Sequence, residues 1–228
     1  MGRVNHGVRN AVQWVLLFAM AAVLESAFFR VRTPAPGGSF NAPDATRILF
    51  LHVPCAELCT LGFVTALVFG LLYLRTRDPK HDARSLVAAR LGLLFGGLAL
   101  LMGMAWANVE WGAPWNWDPR QTGLALALMF YAAYLALRGA VEDPERQGTL
   151  AAVYAALACP AALFFIFGLP YYLPGSLHLK PGEVRLSPEF RTTMFASMIC
   201  FVAVFIWLHA LETRLTLLSW RRAGRLER

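Results

Sequence analysis

The segment 107–122, ANVEWGAPWNWDPRQT, contains three tryptophans within seven residues, Trp111, Trp115 and Trp117. Indole rings supply flat apolar surface for stacking, and the guanidinium of Arg120 can pair bidentately with a carboxylate. A flat apolar ligand with acidic edges, such as a porphyrin with its propionates, suits this combination. An aromatic belt at a membrane surface also explains the tryptophans, but it leaves Asp118 and Arg120 without a role.

Two of the five histidines are predicted to lie on the same side as this segment. His52 stands in LFLHVPCAEL, where Pro54 suits the first turn of a helix and would place His52 just before that helix. His178 lies in a loop between Pro174-Gly175 and Pro181-Gly182. Two imidazoles from different loops can reach a haem iron from opposite faces. The alternative for each is an ordinary surface histidine.

The elements that must position these residues are predicted to be membrane-spanning helices. Of 228 residues, 57% are hydrophobic and only 15% are charged, which is too apolar for a soluble domain of this size. The chain is therefore predicted to be a single all-α integral membrane domain, 1–228, with about six transmembrane helices. These are predicted at residues 12–29, 48–74, 86–106, 122–137, 150–168 and 193–217.

The distribution of Lys and Arg predicts the orientation, because basic loops tend to remain cytoplasmic. With both termini inside, 13 basic residues fall in inner segments and 7 in outer ones. The outer loops are then 30–47, the tryptophan segment and 169–191. The net charge of +7 flanks the spans and forms no continuous patch, which argues against nucleic-acid binding. The first apolar run is predicted to be a retained helix, since Glu25-Ser26-Ala27 is a weak cleavage site.

Four cysteines and two acids within the predicted spans leave alternatives open. Cys55 and Cys59 share a helical face, where two inert core thiols are expected and a redox pair is the alternative. The sequence has no C-x-x-C-H, so covalently attached haem is not expected. Glu25 and Glu57 lie in outer halves of spans, where an ionised carboxylate is costly. They are expected to face a polar cavity, to be neutral, or to hydrogen-bond between helices.

The segment WGAPWNWDPRQT resembles the tryptophan-rich WWD motif of the haem-handling cytochrome c biogenesis family of CcmC, CcmF and CcsA. Six spans, the chain length and a histidine-bearing loop on each side of the motif are similar to the CcmC branch. Two features depart from that branch: Pro114 replaces a common tryptophan, and Asp118-Pro119 is similar to CcsA. CcsA-type chains have more spans, which favours CcmC.

The resemblance implies that the segment binds non-covalent haem b on the outer side. By it, the axial ligands of the haem iron would be His52 and His178. The other matching haem-binding positions are Trp111, Gly112, Trp115, Trp117, Asp118, Arg120 and Thr122.

The resemblance also implies the function. The protein would have no catalytic activity and would present haem at the outer face of a bacterial inner membrane for transfer to CcmE, a periplasmic haem chaperone. CcmA and CcmB, which are ABC-type subunits, and CcmD would be its partners. A Walker motif is absent from the sequence, so ATP hydrolysis would belong to a partner. The alternatives are a transmembrane haem transporter subunit, a CcsA-like haem export or ligation component, and a scaffold that the tryptophans anchor.

Overall fold

The computed structural model describes residues 6–34, 40–178 and 186–226, and its regular structure within them is entirely helical. Six helices in these ranges are long and apolar enough to cross a membrane, as predicted. The parts of the predicted outer loops at 35–39 and 179–185 lie outside the described residues. The helices are α1 (His6–Glu25, continued by a π-helical turn at Ser26–Arg30), α2 (Leu49–Thr76, preceded by a 3₁₀ turn at Pro43–Ile48), α3 (Pro79–Trp111), α4 (Pro119–Gly139), α5 (Pro144–Leu163, continued by a π-helical turn at Phe164–Gly168), α6 (Leu169–Tyr172) and α7 (Pro188–Arg222).

Four of the helices begin with the same local signal, an Asp or Ser followed by Pro. The side chains of Asp78, Asp118, Asp143 and Ser187 each accept a hydrogen bond from a backbone N–H in the first turn. Proline follows each of them, where its missing N–H costs nothing and its fixed φ suits the helix. Pro119 therefore starts α4 within the tryptophan segment, and only residues 112–118 separate α3 from α4.

The expected position of His52 before its helix is wrong. α2 begins at Leu49, directly after the 3₁₀ turn, so His52 lies in the first turn and Pro54 lies inside the helix. Pro54 lacks the N–H that would donate to the Phe50 carbonyl, and that carbonyl accepts from the Ser197 hydroxyl on α7 instead, at 2.5 Å. His52 is consequently fixed by helical backbone rather than by a loop.

The core forms where α2, α3, α4 and α5 pack together. α2 and α3 approach closely at Gly62 and Gly92, where a Cβ on Gly62 would lie 2.6 Å from the Gly92 Cα. The rings of Phe63 and Tyr131 stack with centroids 3.5 Å apart, and the Tyr131 hydroxyl donates to the Phe63 carbonyl at 3.1 Å. We call the end of the bundle that carries residues 112–118 the outer end, and the opposite end the inner end.

Candidate functional site

The seven-residue turn at 112–118 is held against the start of α4. Gly112 ends α3 with φ of 81°, a left-handed conformation that favours glycine. The side chain of Gln121, in the first turn of α4, accepts from the backbone N–H of Asn116 at 3.1 Å and donates to the Pro114 carbonyl at 3.1 Å. The turn is therefore fixed by hydrogen bonds to α4, and it ends at Asp118.

Asp118 connects this turn to the third outer loop. Its side chain is buried, and its Oδ1 accepts from the Arg120 N–H at 2.8 Å, which caps α4. The other oxygen accepts from the Leu177 N–H at 2.6 Å and from the Ser176 hydroxyl at 3.1 Å. His178 Nδ1 donates to Oδ1 at 3.0 Å. One carboxylate thus joins residues about 60 positions apart in the chain.

The surroundings of Asp118 keep its carboxyl ionised. Burial favours the neutral acid, but the hydrogen bond and electrostatic attraction of His178 outweigh it, together with the N–H groups of Leu177 and Arg120. The pKa of Asp118 therefore lies well below its usual range. Because a carboxylate only accepts, Nδ1 of His178 carries a proton, and in the neutral form of the ring Nε2 carries the lone pair that a metal ion binds.

His178 is packed as well as hydrogen-bonded. Its side chain is 22% exposed, and its ring meets the Trp111 ring edge-to-face with centroids 4.9 Å apart. Trp106 lies behind both rings, with its centroid 5.2 Å from that of Trp111 and 6.5 Å from that of His178. Two tryptophans and a carboxylate therefore fix the position of this histidine.

His52 has an equivalent arrangement on α2. Its Nδ1 lies 2.8 Å from the carbonyl oxygen of Ala99, on α3. A carbonyl only accepts, so Nδ1 carries the proton and Nε2 again retains the lone pair. Gly103 provides the space for this ring, since a Cβ there would lie 2.9 Å from His52 Cε1.

His52 and His178 line the same cavity, at the outer end of the bundle. Its volume is about 860 Å³, within the range of small-molecule sites. Most of its wall is aliphatic or aromatic, with Phe40 and Trp106 near the outer end. Arg120 also lines the cavity. Among the described residues its guanidinium forms no ion pair with Asp118, whose oxygens accept from the Arg120 backbone N–H and from residues 176–178.

These residues fit haem. Each of the two imidazoles donates its Nδ1–H to an acceptor and leaves Nε2 available as a ligand, as metal-binding histidines usually do. Apolar walls suit the macrocycle, and the Arg120 cation suits a propionate. Gly103 leaves room for the His52 ring, which a larger residue at position 103 would displace.

The remaining predicted residues do not line the cavity. Gly112 shapes the turn, and Trp115 packs edge-to-face against Trp117 with centroids 5.7 Å apart. Trp117 is 78% exposed and has a left-handed φ of 54°, unusual for a bulky residue. The Thr122 hydroxyl is buried with no hydrogen-bond partner among the described residues.

Sequence reasoning missed several residues that build the site. Trp106 and Gly103 lie in the predicted third span, where hydropathy gives no reason to distinguish them. Glu110 is buried, and its carboxylate accepts from the backbone N–H groups of Asn41 and Ala42, each at 2.9 Å. This contact places Phe40 against Trp106, with centroids 6.3 Å apart. The available signal was an acidic residue within the tryptophan segment, directly before Trp111.

The two acids and two cysteines of the predicted spans, and two further histidines, have different surroundings. Glu25 forms an exposed ion pair with Arg30 at 2.8 Å, whereas Glu57 lines the cavity. Cys55 and Cys59 are free, buried thiols, as expected of core residues. His81 and His209 lie at the inner end, where each ring stacks on Phe69.

The fold and the site define a helical membrane protein of six spans with a histidine-lined cavity at one end. A profile of the CcmC family, described as heme exporter protein C, matches residues 3–227. The chain is 29% identical over 220 residues to heme exporter protein C of Paracoccus denitrificans, covering 94% of this chain and 90% of that protein. It is 31% identical over 213 residues to the protein of that name from Rhodobacter capsulatus, covering 86% of each.

A shorter similarity links the chain to the CcsA branch. The cytochrome c biogenesis protein CcsA of Prochlorococcus marinus is 37% identical over 78 residues, which cover 34% of this chain and 24% of that protein. The chain belongs to the heme exporter protein C family, CcmC, of the haem-handling cytochrome c biogenesis proteins.

Proposed function

We propose that the protein binds haem b non-covalently at its outer end and presents it for transfer to a periplasmic haem chaperone of the CcmE type. The observation that carries the proposal is that His52 and His178, from α2 and from the third outer loop, line one cavity with both Nδ1 atoms held by acceptors. Haem supplies iron with two open axial positions, and these two side chains would occupy them.

The two ligands would differ in how firmly the chain holds them. His52 lies on a helix and is braced by Ala99. His178 is on a non-helical segment whose described side-chain contacts to α4 converge on Asp118. A segment held by the hydrogen bonds of one carboxylate and by the packing of one ring on Trp106 and Trp111 can be released by breaking few contacts, which suits a protein that passes its cargo onward. Arg120, in the cavity wall, would pair with a propionate.

The proposal includes the setting of the protein. It would lie in the bacterial inner membrane with both termini cytoplasmic, and it would act without catalytic turnover. CcmA, CcmB and CcmD would be its partners, with ATP hydrolysis on the ABC-type subunits. The basic-residue distribution and the relation to proteins called heme exporter protein C support this setting.

The test is a haem titration of the purified full-length chain, followed by its visible spectrum. The unmodified protein is expected to give a six-coordinate, low-spin spectrum. His52→Ala and His178→Ala should each lose it and weaken binding by more than the ~10–100-fold typical of changes to a ligand's hydrogen-bond partner. We expect His52→Ala to lose more haem, because His52 is the helix-held ligand.

His209→Ala is the matched control, since His209 lies at the inner end with its Nε2 3.0 Å from the Arg84 carbonyl oxygen. It should bind haem normally. Survival of the low-spin spectrum in both His52→Ala and His178→Ala would refute the ligand assignment. Absence of any Soret band from the unmodified protein would refute haem binding itself.

A further inference from the structure

The cavity continues inward from the two histidines along one face of α2. Its α2 wall is formed at helical spacing by Val53, Ala56, Glu57, Thr60, Leu61 and Val64. Twelve residues separate His52 from Val64, which is ~18 Å along a helix axis. The hydrocarbon core of a bilayer is ~30 Å thick. The cavity therefore extends well below the ligand pair, to about the middle of the membrane.

Apolar residues of other helices complete the wall of this inward part of the cavity. Leu124 on α4 and Ile166 and Phe167 beyond α5 form it. Phe167 is 62% exposed, and Glu57 is exposed as well. Both residues line the cavity and are also exposed, within the membrane-spanning part of the bundle, so the side of the bundle that carries them is where a lateral opening is expected.

Glu57 is the acidic residue of this opening. It lies five residues inward of His52, ~7.5 Å along the helix, and its carboxyl has no hydrogen-bond or ion-pair partner within residues 6–34, 40–178 and 186–226. An ionised carboxylate at this depth is costly, so the neutral acid is expected, which can both donate and accept. An unpaired acid beside an apolar opening is suited to a ligand that is largely apolar but carries carboxyl groups.

We propose that this opening is the port through which haem reaches the site from the bilayer, with Glu57 hydrogen-bonding a propionate on the way to His52. The inference rests on the proposed function, and it adds a route and a residue to it. The macrocycle can cross an apolar opening without loss of solvation, whereas its carboxyl edge needs a polar partner in hydrocarbon. Glu57 is placed to be that partner before Arg120 is reached.

The test compares the rate at which the protein binds haem supplied from lipid with the rate for haem supplied from solution. The full-length protein in lipid nanodiscs is mixed either with vesicles preloaded with haem or with haem held by excess serum albumin in solution, and the Soret band is followed by stopped flow. Glu57→Leu should slow loading from the vesicles roughly tenfold, the size of one lost hydrogen bond. Glu57→Gln, whose amide still donates, should load near the rate of the unmodified protein.

Two further measurements separate the port from the final site. Once loaded, Glu57→Leu should show the six-coordinate, low-spin spectrum, because His52 and His178 are unchanged, and it should not slow loading from albumin. Glu25→Leu is the matched control, because Glu25 is an acid in the first span that pairs with Arg30 and does not line the cavity. Equal loading rates for Glu57→Leu and Glu25→Leu overturn the port while leaving the haem site intact. An unmodified protein that acquires no Soret band overturns both.

Discussion

The two carboxylate oxygens of Asp118 have three structural roles. It caps α4 through the Arg120 N–H, it holds residues 176 and 177 of the third outer loop, and it orients the His178 ring. A carboxylate that accepts from Nδ1 fixes the tautomer of a histidine and raises the basicity of Nε2. The motif aspartate therefore serves the proposed haem site through a histidine rather than by direct contact with the cavity.

This arrangement predicts the effect of Asp118→Asn. The amide keeps the size of the side chain but removes the charge and two of the acceptor positions, so the tautomer and position of His178 are no longer fixed. Haem affinity should fall ~10–100-fold, with the low-spin spectrum partly replaced by a high-spin one. Optical titration measures both.

The control for this substitution is Asp44→Asn, since Asp44 is an exposed outer acid that accepts from the Thr33 hydroxyl at 3.0 Å. It should bind haem as the unmodified protein does. A normal titration and spectrum for Asp118→Asn would show that the Asp118–His178 contact has no part in ligation.

At the scale of elements, the helices were predictable because hydropathy and capping are local properties of the chain. Each predicted span lies largely within an observed helix, and the Asp-Pro and Ser-Pro signals mark four helix starts that hydropathy alone placed too late. Pro54 was misleading because proline is also tolerated a few residues inside a helix start.

The site was less predictable, because its geometry depends on which helix faces meet. The residue types of His52, His178 and Arg120 indicated a ligand site, and the fold places all three on one cavity. The stacking surface expected from Trp115 and Trp117 lies away from that cavity, while Trp106, inside an apolar span, lines it. Contacts such as Asp118 with His178 join segments distant in sequence, and one sequence contains no signal that pairs them.

The contact between α2 and α3 predicts that Gly103→Ala damages the site. The added Cβ would lie 2.9 Å from His52 Cε1 and 3.3 Å from Nδ1, so the ring must move and its bond to Ala99 must change. We expect haem affinity to fall roughly tenfold, about the cost of one hydrogen bond. Glycine-to-alanine changes otherwise favour a helix by up to ~1 kcal/mol, so lost helix propensity cannot explain a defect.

Gly97→Ala, on the same helix, is the matched control, because a Cβ there has nothing within 4 Å. Its haem titration should match that of the unmodified protein, and its melting temperature should be equal or higher. Equal affinities for Gly103→Ala and Gly97→Ala would mean that the position of the His52 ring is unimportant for binding.

At the scale of the whole molecule, the two ends of the bundle differ in construction. The outer end contains the cavity. The inner end is closed by a buried ion pair, in which Arg138 donates to both oxygens of Asp82 at 2.5 and 2.9 Å. Arg225 donates to Gln147, and Gln147 donates to the Arg138 carbonyl, which adds a second layer. None of these four residues lines the cavity, and a cavity that does not reach this layer suits a protein that presents a ligand on one side better than one that conducts it across.

The difference between the two ends predicts the orientation of the protein in the membrane. The excess of basic residues in segments at the inner end predicts that this end faces the cytoplasm and that the cavity faces the periplasm.

Cysteine labelling tests this orientation. Asp44 and Glu142 are exposed acids at the outer and inner ends, and the cysteines at 55, 59 and 159 are buried. In intact cells a membrane-impermeant maleimide should label Asp44→Cys, while Glu142→Cys should be labelled only after permeabilisation. The unmodified protein measures the background from Cys200. The reverse labelling pattern would place His52 and His178 on the cytoplasmic side, where a periplasmic chaperone has no access, and presentation of haem to one would be excluded.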